Sequence, residues 1–101
     1  DFLEIINKGQ KFTKFGLTFY FLKNNKIESK FGISIKKKTG NAVYRNKLKR
    51  QIKNLFRIHY EEFICFDVVV INYHKRSRPI EYSDLKLVFK KFFEKLSAYK
   101  C

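Results

Sequence analysis

Apolar residues recur along the first half of the chain in patterns typical of one short helix and two strands. The helix is expected at 1–8, where apolar side chains cluster and Gly9 can end the helix. The strands are expected at 15–22 and 31–35, because apolar side chains alternate there with polar or small ones. Two asparagines at 24–25 mark a turn between the strands.

The second half of the chain predicts a long helix, a buried strand and a last helix. Asn41 is a favourable N-cap for a helix at 42–58, in which apolar residues repeat along one side. The Val-rich run at 64–72 predicts a central strand buried on both faces, with Asp67 at its edge. Ser83 is expected to cap the last helix. The order α-β-β-α-β-α predicts an α+β fold, an α/β sandwich with a small mixed sheet.

Length and composition place these elements in one domain that spans residues 1–101. A chain of 101 residues is enough for one domain and too short for two well-packed ones. Hydrophobic residues make up 45% of the chain, which supplies a core and argues against disorder. Met is absent, so we expect that an N-terminal arm is missing. No apolar run approaches the roughly 20 residues of a membrane span, and no signal peptide is recognisable.

The net charge of +14 indicates a polyanionic partner, which is RNA, DNA or an acidic membrane surface. The segment 29–60 contains no acidic residue, and its ten basic residues are Lys30, Lys36, Lys37, Lys38, Arg45, Lys47, Lys49, Arg50, Lys53 and Arg57. In the predicted helix, basic side chains repeat at four-residue spacing from Arg45 to Arg57, where like charges repel. This series favours a phosphate-binding surface over an incidental basic face, since side chains one turn apart (~5.4 Å) can meet successive phosphates.

Residues for catalysis by the protein alone are scarce. The only histidines are His59 and His74, and the neighbouring Glu61 and Glu62 form no paired-acid motif. We expect His59 to have a packing or capping role at the apolar edge of the long helix.

The two cysteines, Cys65 and Cys101, are too few for a disulfide framework and lack the spacing of a metal site. We expect both to be thiols of a protein in the reducing cytoplasm. The sequence therefore predicts no metal site in the protein.

A long motif spans the second predicted strand, the loop after it and the long helix. It reads FGISIKKKTGNAVYRNKLKRQIKNLFR at 31–57. This run closely resembles the signature of the bacterial ribonuclease P protein family, including its paired lysines, its Gly-Asn-Ala-Val turn and the Arg-Asn pair at its centre. The match has no gaps, and weaker similarity extends to the first helix and to 67–71.

The resemblance implies a protein subunit that serves a catalytic RNA. In this family the RNA cleaves the 5′ leader from precursor tRNA with bound Mg²⁺, and the protein contacts the leader and strengthens functional Mg²⁺ binding. The implied partners are that RNA and precursor tRNA, with no membrane, no cofactor held tightly by the protein alone and no catalytic residue in the protein. The family fold also implies a left-handed βαβ crossover, against the usual right-handed preference.

The resemblance further implies two binding regions. The RNA-binding region on the signature loop and helix comprises Lys36, Lys37, Lys38, Asn41, Arg45, Asn46, Lys47, Lys49, Arg50, Lys53 and Arg57. The leader-binding cleft comprises Phe2, Ile6, Tyr20 and Ser34. Lys47 and Lys53 stand where the family usually has Arg, so charge is kept and bidentate geometry is lost. Ile6 stands where the family often has Phe, a residue on which a base can stack.

Three other interpretations compete with this one. An autonomous nuclease would need positioned acid–base groups or a metal cage. A ribosomal or other structured-RNA-binding protein fits the charge and the fold class, and only the signature run argues against it. A DNA-binding helix-turn-helix would need a short Gly-containing turn into a second helix, which is missing.

Overall fold

Three helices and a four-stranded sheet make up residues 2–25, 29–72 and 80–99, the part of the chain that the computed structural model describes. The elements in chain order are α1 (Phe2–Lys8), β1 (Gln10–Lys14), β2 (Leu17–Lys23), β3 (Phe31–Ile35), α2 (Ala42–Ile58), β4 (Phe66–Asn72) and α3 (Tyr82–Leu96). The predicted α+β class is confirmed, with one strand more than expected.

The segment predicted as one strand at 15–22 belongs to a hairpin of two strands, β1 and β2. Phe15 and Gly16 form the two-residue turn between them, with φ angles of 54° and 80°. A turn with positive φ at both central residues matches the twist of paired strands. The predicted strand at 15–22 corresponds to β2, which begins two residues later at Leu17. Strand β1 and the turn were missed because apolar alternation continues through the turn, and Gly16, which permits it, was counted as a strand position.

The sheet has the strand order β1-β2-β4-β3, so β4 is central as predicted. The pairs β1–β2 and β2–β4 are antiparallel, whereas β3 and β4 are parallel. Parallel neighbours need a crossover connection, and α2 provides it. The left-handed sense of this crossover stays a prediction. β4 begins at Phe66 instead of residue 64, because a 3₁₀ turn at Tyr60–Phe63 and the left-handed Cys65 (φ 78°) precede it.

One face of the sheet, called here the helix face, carries the main core. Leu17, Phe19 and Phe21 of β2 pack there with Val68 and Val70 of β4, and all five are at most 1% exposed. The long helices cover them with the buried side chains Leu48, Ile52, Leu55, Phe56, Leu85, Val88, Phe89, Phe92 and Leu96. Burying one large apolar side chain contributes roughly 1.5–3 kcal/mol. This face therefore fixes both α2 and α3.

The opposite face, called here the cleft face, packs against the short helix α1. Ile5 of α1 is buried with Val69 and Ile71 of β4. The half-buried side chains around this cluster are Ile6, Tyr20 and Leu22. A single helix of seven residues is thus fixed by one small apolar cluster.

The N-cap of α3 is Glu81, so the prediction of Ser83 was wrong. The Glu81 side chain accepts a hydrogen bond from the backbone of Asp84, and Asp84 Oδ2 accepts one from Glu81 N at 3.1 Å. This reciprocal capping box satisfies two backbone N–H groups together, whereas a lone serine satisfies one.

Cys65 lies just before β4 and is 7% exposed. It is disulfide-bonded in the structure, so the expectation of a thiol at this position is wrong. A count of two cysteines excludes a framework of several disulfides but permits one bond. Within the described ranges, no helix is both long and apolar enough to cross a membrane.

Gly9 joins α1 to β1 at a point of close backbone approach. Its N–H donates to the Ile5 carbonyl at 2.9 Å. A Cβ at this position would meet the Ile5 carbonyl oxygen and would lie 2.6 Å from the Phe21 carbonyl oxygen. Both obstacles are backbone atoms, which cannot move aside as a flexible side chain can. Gly9 therefore ends α1, as predicted, and also allows α1 to pack closely on the cleft face.

We expect Gly9→Ala to lower the free energy of unfolding by about 1–3 kcal/mol, because α1 or β2 must shift. Urea unfolding followed by circular dichroism measures this change. The matched control is Asn7→Ala on the exposed side of α1, which should stay within about 0.5 kcal/mol of the parent. Equal stability of the two variants would contradict the close approach at Gly9.

Candidate nucleic-acid interface

The polar side of α2 forms one exposed surface, called here the cationic surface of α2. Its residues are Arg45, Asn46, Lys47, Lys49, Arg50, Lys53 and Arg57, all exposed except the half-buried Arg45. The surface exists because the apolar stripe of α2, with Leu48, Ile52 and Phe56, is buried in the core. Residues at the remaining helix angles must then face solvent. The predicted amphipathic helix is confirmed with its predicted bounds.

No acidic residue interrupts the cationic surface, since α2 contains neither Asp nor Glu. Like charges one turn apart destabilise a helix by a few tenths of a kcal/mol per pair. The arrangement therefore weakens α2 slightly and leaves a positive potential on its outer side. A bound polyanion relieves this repulsion and releases counterions from its phosphates.

The N-terminus of α2 is fixed by its cap. Asn41 Oδ1 accepts a hydrogen bond from Tyr44 N at 2.8 Å, as the sequence predicted. The preceding 3₁₀ turn at Lys37–Thr39 is held by Thr39, which is buried and donates through Oγ1 to the Lys36 carbonyl at 2.7 Å. The three lysines Lys36, Lys37 and Lys38 are exposed. They lie beside the positive end of the α2 dipole, a place that favours anions.

Arg45 and Tyr44 have structural contacts that the sequence did not predict. Arg45 Nε donates to the Gly40 carbonyl at 3.2 Å, which ties the guanidinium to the loop. Tyr44 covers Gly40 so closely that a Cβ there would lie 2.5 Å from the tyrosine ring. The Tyr44 hydroxyl also accepts a hydrogen bond from Ile80 N at 3.0 Å. The loop before α2 is therefore held rigidly to the helix and to the start of α3.

Most of the predicted leader-binding residues lie on the cleft face. Tyr20 is paired with Val69, which is paired in turn with Gly32, so these three form one row across the sheet. Ser34 is in the next row of the same face. Ile6 packs at the same apolar cluster as Tyr20. The fold thus brings Ile6 and Tyr20 together and places Ser34 two strands away.

Strand β1 adds polar residues to the cleft face that the sequence analysis missed. Lys11 is paired with Tyr20, and Thr13 is paired with Thr18. The hydroxyls of Thr13 and Thr18 lie 3.2 Å apart. The Gly16 turn is the signal that could have revealed this strand and its side chains. Phe2 belongs to α1, but its side chain is outside the described part of the structure.

The two candidate regions meet at β3, one of the two edge strands of the described sheet. Ser34 lies on the cleft face, and Lys36 follows two residues later, about 7 Å along an extended chain. Lys36 N donates to the Asn72 carbonyl at 3.3 Å, which anchors this junction to β4. The cleft face and the lysines before α2 are therefore adjacent across the β3 edge.

His59 has the packing role that was expected of it. It ends α2 as the C-cap, and its ring lies 4.9 Å from the ring of Phe93. Over the described ranges, no group of three or more His, Cys, Asp or Glu residues is placed to hold a metal ion.

Comparisons with known proteins point to one family. A family model described as Ribonuclease P matches residues 1–97. A ribonuclease P protein component of Staphylococcus haemolyticus is 41% identical over 71 residues, which cover 70% of this chain and 62%, less than two thirds, of that relative. The structure of the Thermotoga maritima RNase P protein has a TM-score of 0.78 at 28% identity and covers 94% of this chain and 90% of its own. For the Staphylococcus aureus RNase P protein the TM-score is 0.77 at 32% identity, with coverages of 91% and 88%.

We expect Asn41→Ala to destabilise the chain by about 1 kcal/mol, because the Tyr44 N–H loses its capping acceptor. Asn41→Ser keeps a capping oxygen and should retain most of the stability. Thermal or urea unfolding of the two variants measures the difference. If alanine and serine have the same effect, the cap at Asn41 does not stabilise α2.

Proposed function

The chain belongs to the ribonuclease P protein family, and on that basis we propose that it is the protein subunit of a ribonuclease P that removes the 5′ leader from precursor tRNA. In this proposal the RNA subunit performs the hydrolysis in the cytoplasm. The protein binds the RNA subunit and the single-stranded leader, and it contributes no catalytic residue.

The acid-free cationic surface of α2 is the observation that supports the proposal most strongly. The helix presents six cations, and four of them, Arg45, Lys49, Lys53 and Arg57, recur about one turn apart, a spacing that suits successive phosphates. The exposed lysines at 36–38 extend this charge beyond the helix N-terminus. The proposed occupant of this surface is the folded RNA subunit.

The cleft face is the proposed site for the leader. Tyr20 is half-buried and gives one aromatic ring for a base, while the hydroxyls of the exposed Thr13 and the half-buried Ser34 offer hydrogen bonds to base edges. Lys11 beside Tyr20 is exposed and can contact a leader phosphate. Mature tRNA has no leader, so this cleft would favour the precursor.

In this proposal the protein promotes Mg²⁺ binding indirectly, through the RNA. Mg²⁺ prefers phosphate and other oxygen ligands and keeps several waters. The proposed Mg²⁺ ions are bound mainly by RNA phosphates, and the basic side chains of the protein act by holding those phosphates in place.

Reconstitution with the RNA subunit encoded in the same genome tests the proposed function. Precursor cleavage at low Mg²⁺ should be faster with the protein than with RNA alone. Single-site leader removal by the protein without RNA would overturn the assignment of catalysis. Capture of ribosomal RNA, instead of one catalytic RNA, would favour the alternative of a structured-RNA-binding protein without a role in cleavage.

We expect Arg50→Ala to weaken holoenzyme assembly and to lower the slope of log K against log salt by about one unit, because one phosphate contact is lost. Filter binding across a salt series measures both quantities. Lys91→Ala is the matched control, since Lys91 is an exposed cation on α3. An unchanged slope for Arg50→Ala would show that Arg50 contacts no phosphate.

We expect Tyr20→Leu to weaken binding of precursor tRNA about tenfold and to leave mature tRNA unaffected, because leucine keeps the apolar packing but removes the stacking ring. Tyr20→Phe keeps the ring and should bind the precursor like the parent. Binding to the reconstituted holoenzyme is measured with the two tRNAs in parallel. Equal losses for precursor and mature tRNA would contradict the leader assignment.

A further inference from the structure

A groove between α2 and α3 adjoins the cationic surface of α2 and extends beyond it to α3. Its α2 wall includes Gln51 and Asn54, and its α3 wall includes Tyr82 and Lys86. Tyr82 lines three adjoining concavities of this groove, one of which lies over Leu55 and Phe89 and has a volume of about 450 Å³. We propose that this groove, called here the α2–α3 groove, binds unpaired nucleotides of the RNA subunit. The inference rests on the proposed function.

The floor of the groove is apolar and aromatic. Leu55 and Phe89 are buried beneath it, while Tyr82 and Phe93 are half-buried and Ile58 is 60% exposed. A ring that is packed on one side and accessible on the other is a platform for a nucleobase. Tyr82 has this arrangement, since it packs against the main core and also lines the groove.

Both rims of the groove are positively charged. Lys47 and Arg50 stand on the α2 side, and Lys86 and Lys90 stand on the α3 side. All four are exposed. Lys86 Nζ lies 5.7 Å from the centre of the Tyr82 ring. The ammonium lies over the ring face, so a base that stacks there displaces it, and the flexible lysine side chain can then reach the phosphate of that nucleotide.

Polar side chains between the rims offer groups that a base edge can use. Gln51 is half-buried and Asn54 is exposed, and both carry an amide that donates and accepts hydrogen bonds. Glu81 lines one end of the groove near Ile80, and its carboxylate caps α3. The apolar floor, the amides and the cationic rims together suit a nucleotide with its base inward and its phosphate outward.

Charge decides which partner fits the groove. A second copy of this chain would bring another net charge of +14 against the cationic rims, so self-association through the groove is opposed. RNA has the opposite charge, and only unpaired bases expose faces that can stack on Tyr82. Lys47 and Arg50 belong to the cationic surface of α2 and also to the groove. The RNA subunit bound on that surface can therefore extend into the groove without a break.

The test compares pairs of variants of the full chain for affinity to the RNA subunit, measured by filter binding. Tyr82→Leu should bind about tenfold more weakly, because leucine cannot stack on a base, while Tyr82→Phe should bind like the parent. Lys86→Gln should weaken binding and lower the salt slope by about one unit. Lys91→Gln removes the same charge about 140° further round α3 and should have no effect.

A thermal melt of each variant separates folding from binding, and Lys86→Gln tests the groove without touching its packed floor. Unchanged RNA affinity in both Tyr82→Leu and Lys86→Gln would overturn the inference. If the variants change the oligomeric mass of the free protein in solution instead of its RNA affinity, the occupant is a second copy of the chain, and the inference is also overturned.

Lys49→Gln, on the cationic surface but outside the groove, separates the two proposals. If only Lys49→Gln weakens binding, the groove fails and the proposed function stands, whereas a parent chain that does not bind the RNA subunit refutes both.

Discussion

The parallel pairing of β3 with β4 is the constraint on which the rest of the structure depends. Parallel neighbours require a crossover, and α2 is the segment that makes it. Leu48, Ile52 and Phe56 must then face the core, and they are at most 1% exposed. The rotation of α2 about its axis is fixed by this burial. Every cation of the helix consequently points away from the core or along its margin.

The same constraint explains how the chain tolerates so much charge on one helix. Each like-charged pair on α2 costs a few tenths of a kcal/mol, while each large side chain buried by the helix contributes roughly 1.5–3 kcal/mol. Burial exceeds repulsion, so the helix stays formed while its outer side remains strongly positive. The positive charge and the stability of α2 thus come from opposite sides of one element and are linked by its fixed rotation.

The sequence alone was enough to predict α2, but it was not enough to predict the contacts between elements that are distant in the chain. Asn41 and the apolar repeat lie within one segment, and they predicted both ends of the helix correctly. The hairpin turn was missed because Phe15 is an unusual residue for a positive φ, and its apolar side chain continues the strand pattern. The proximity of Ile6 to Tyr20 depends on where α1 packs, which Gly9 and the Ile5 cluster determine. The α2–α3 groove likewise depends on how two helices pack, which no local pattern specifies.

Fixed and adaptable groups are distributed unevenly over the cationic surface of α2. At the N-terminal end of the helix, Arg45 donates a hydrogen bond to the Gly40 carbonyl, and the Asn41 side chain caps the helix. The backbone there consequently has a defined position. Further along the helix, Lys47 and Lys53 carry exposed ammonium groups on flexible side chains. Such a group can contact a phosphate from several directions, whereas the planar fork of arginine fixes the orientation of the phosphate. In the proposed complex, the orientation of the RNA is therefore set at the β3–α2 junction, where Ser34 also faces the cleft. The later part of the helix contributes positive charge without fixed bidentate geometry in the proposed complex, and lysine can supply that charge where the family usually has arginine.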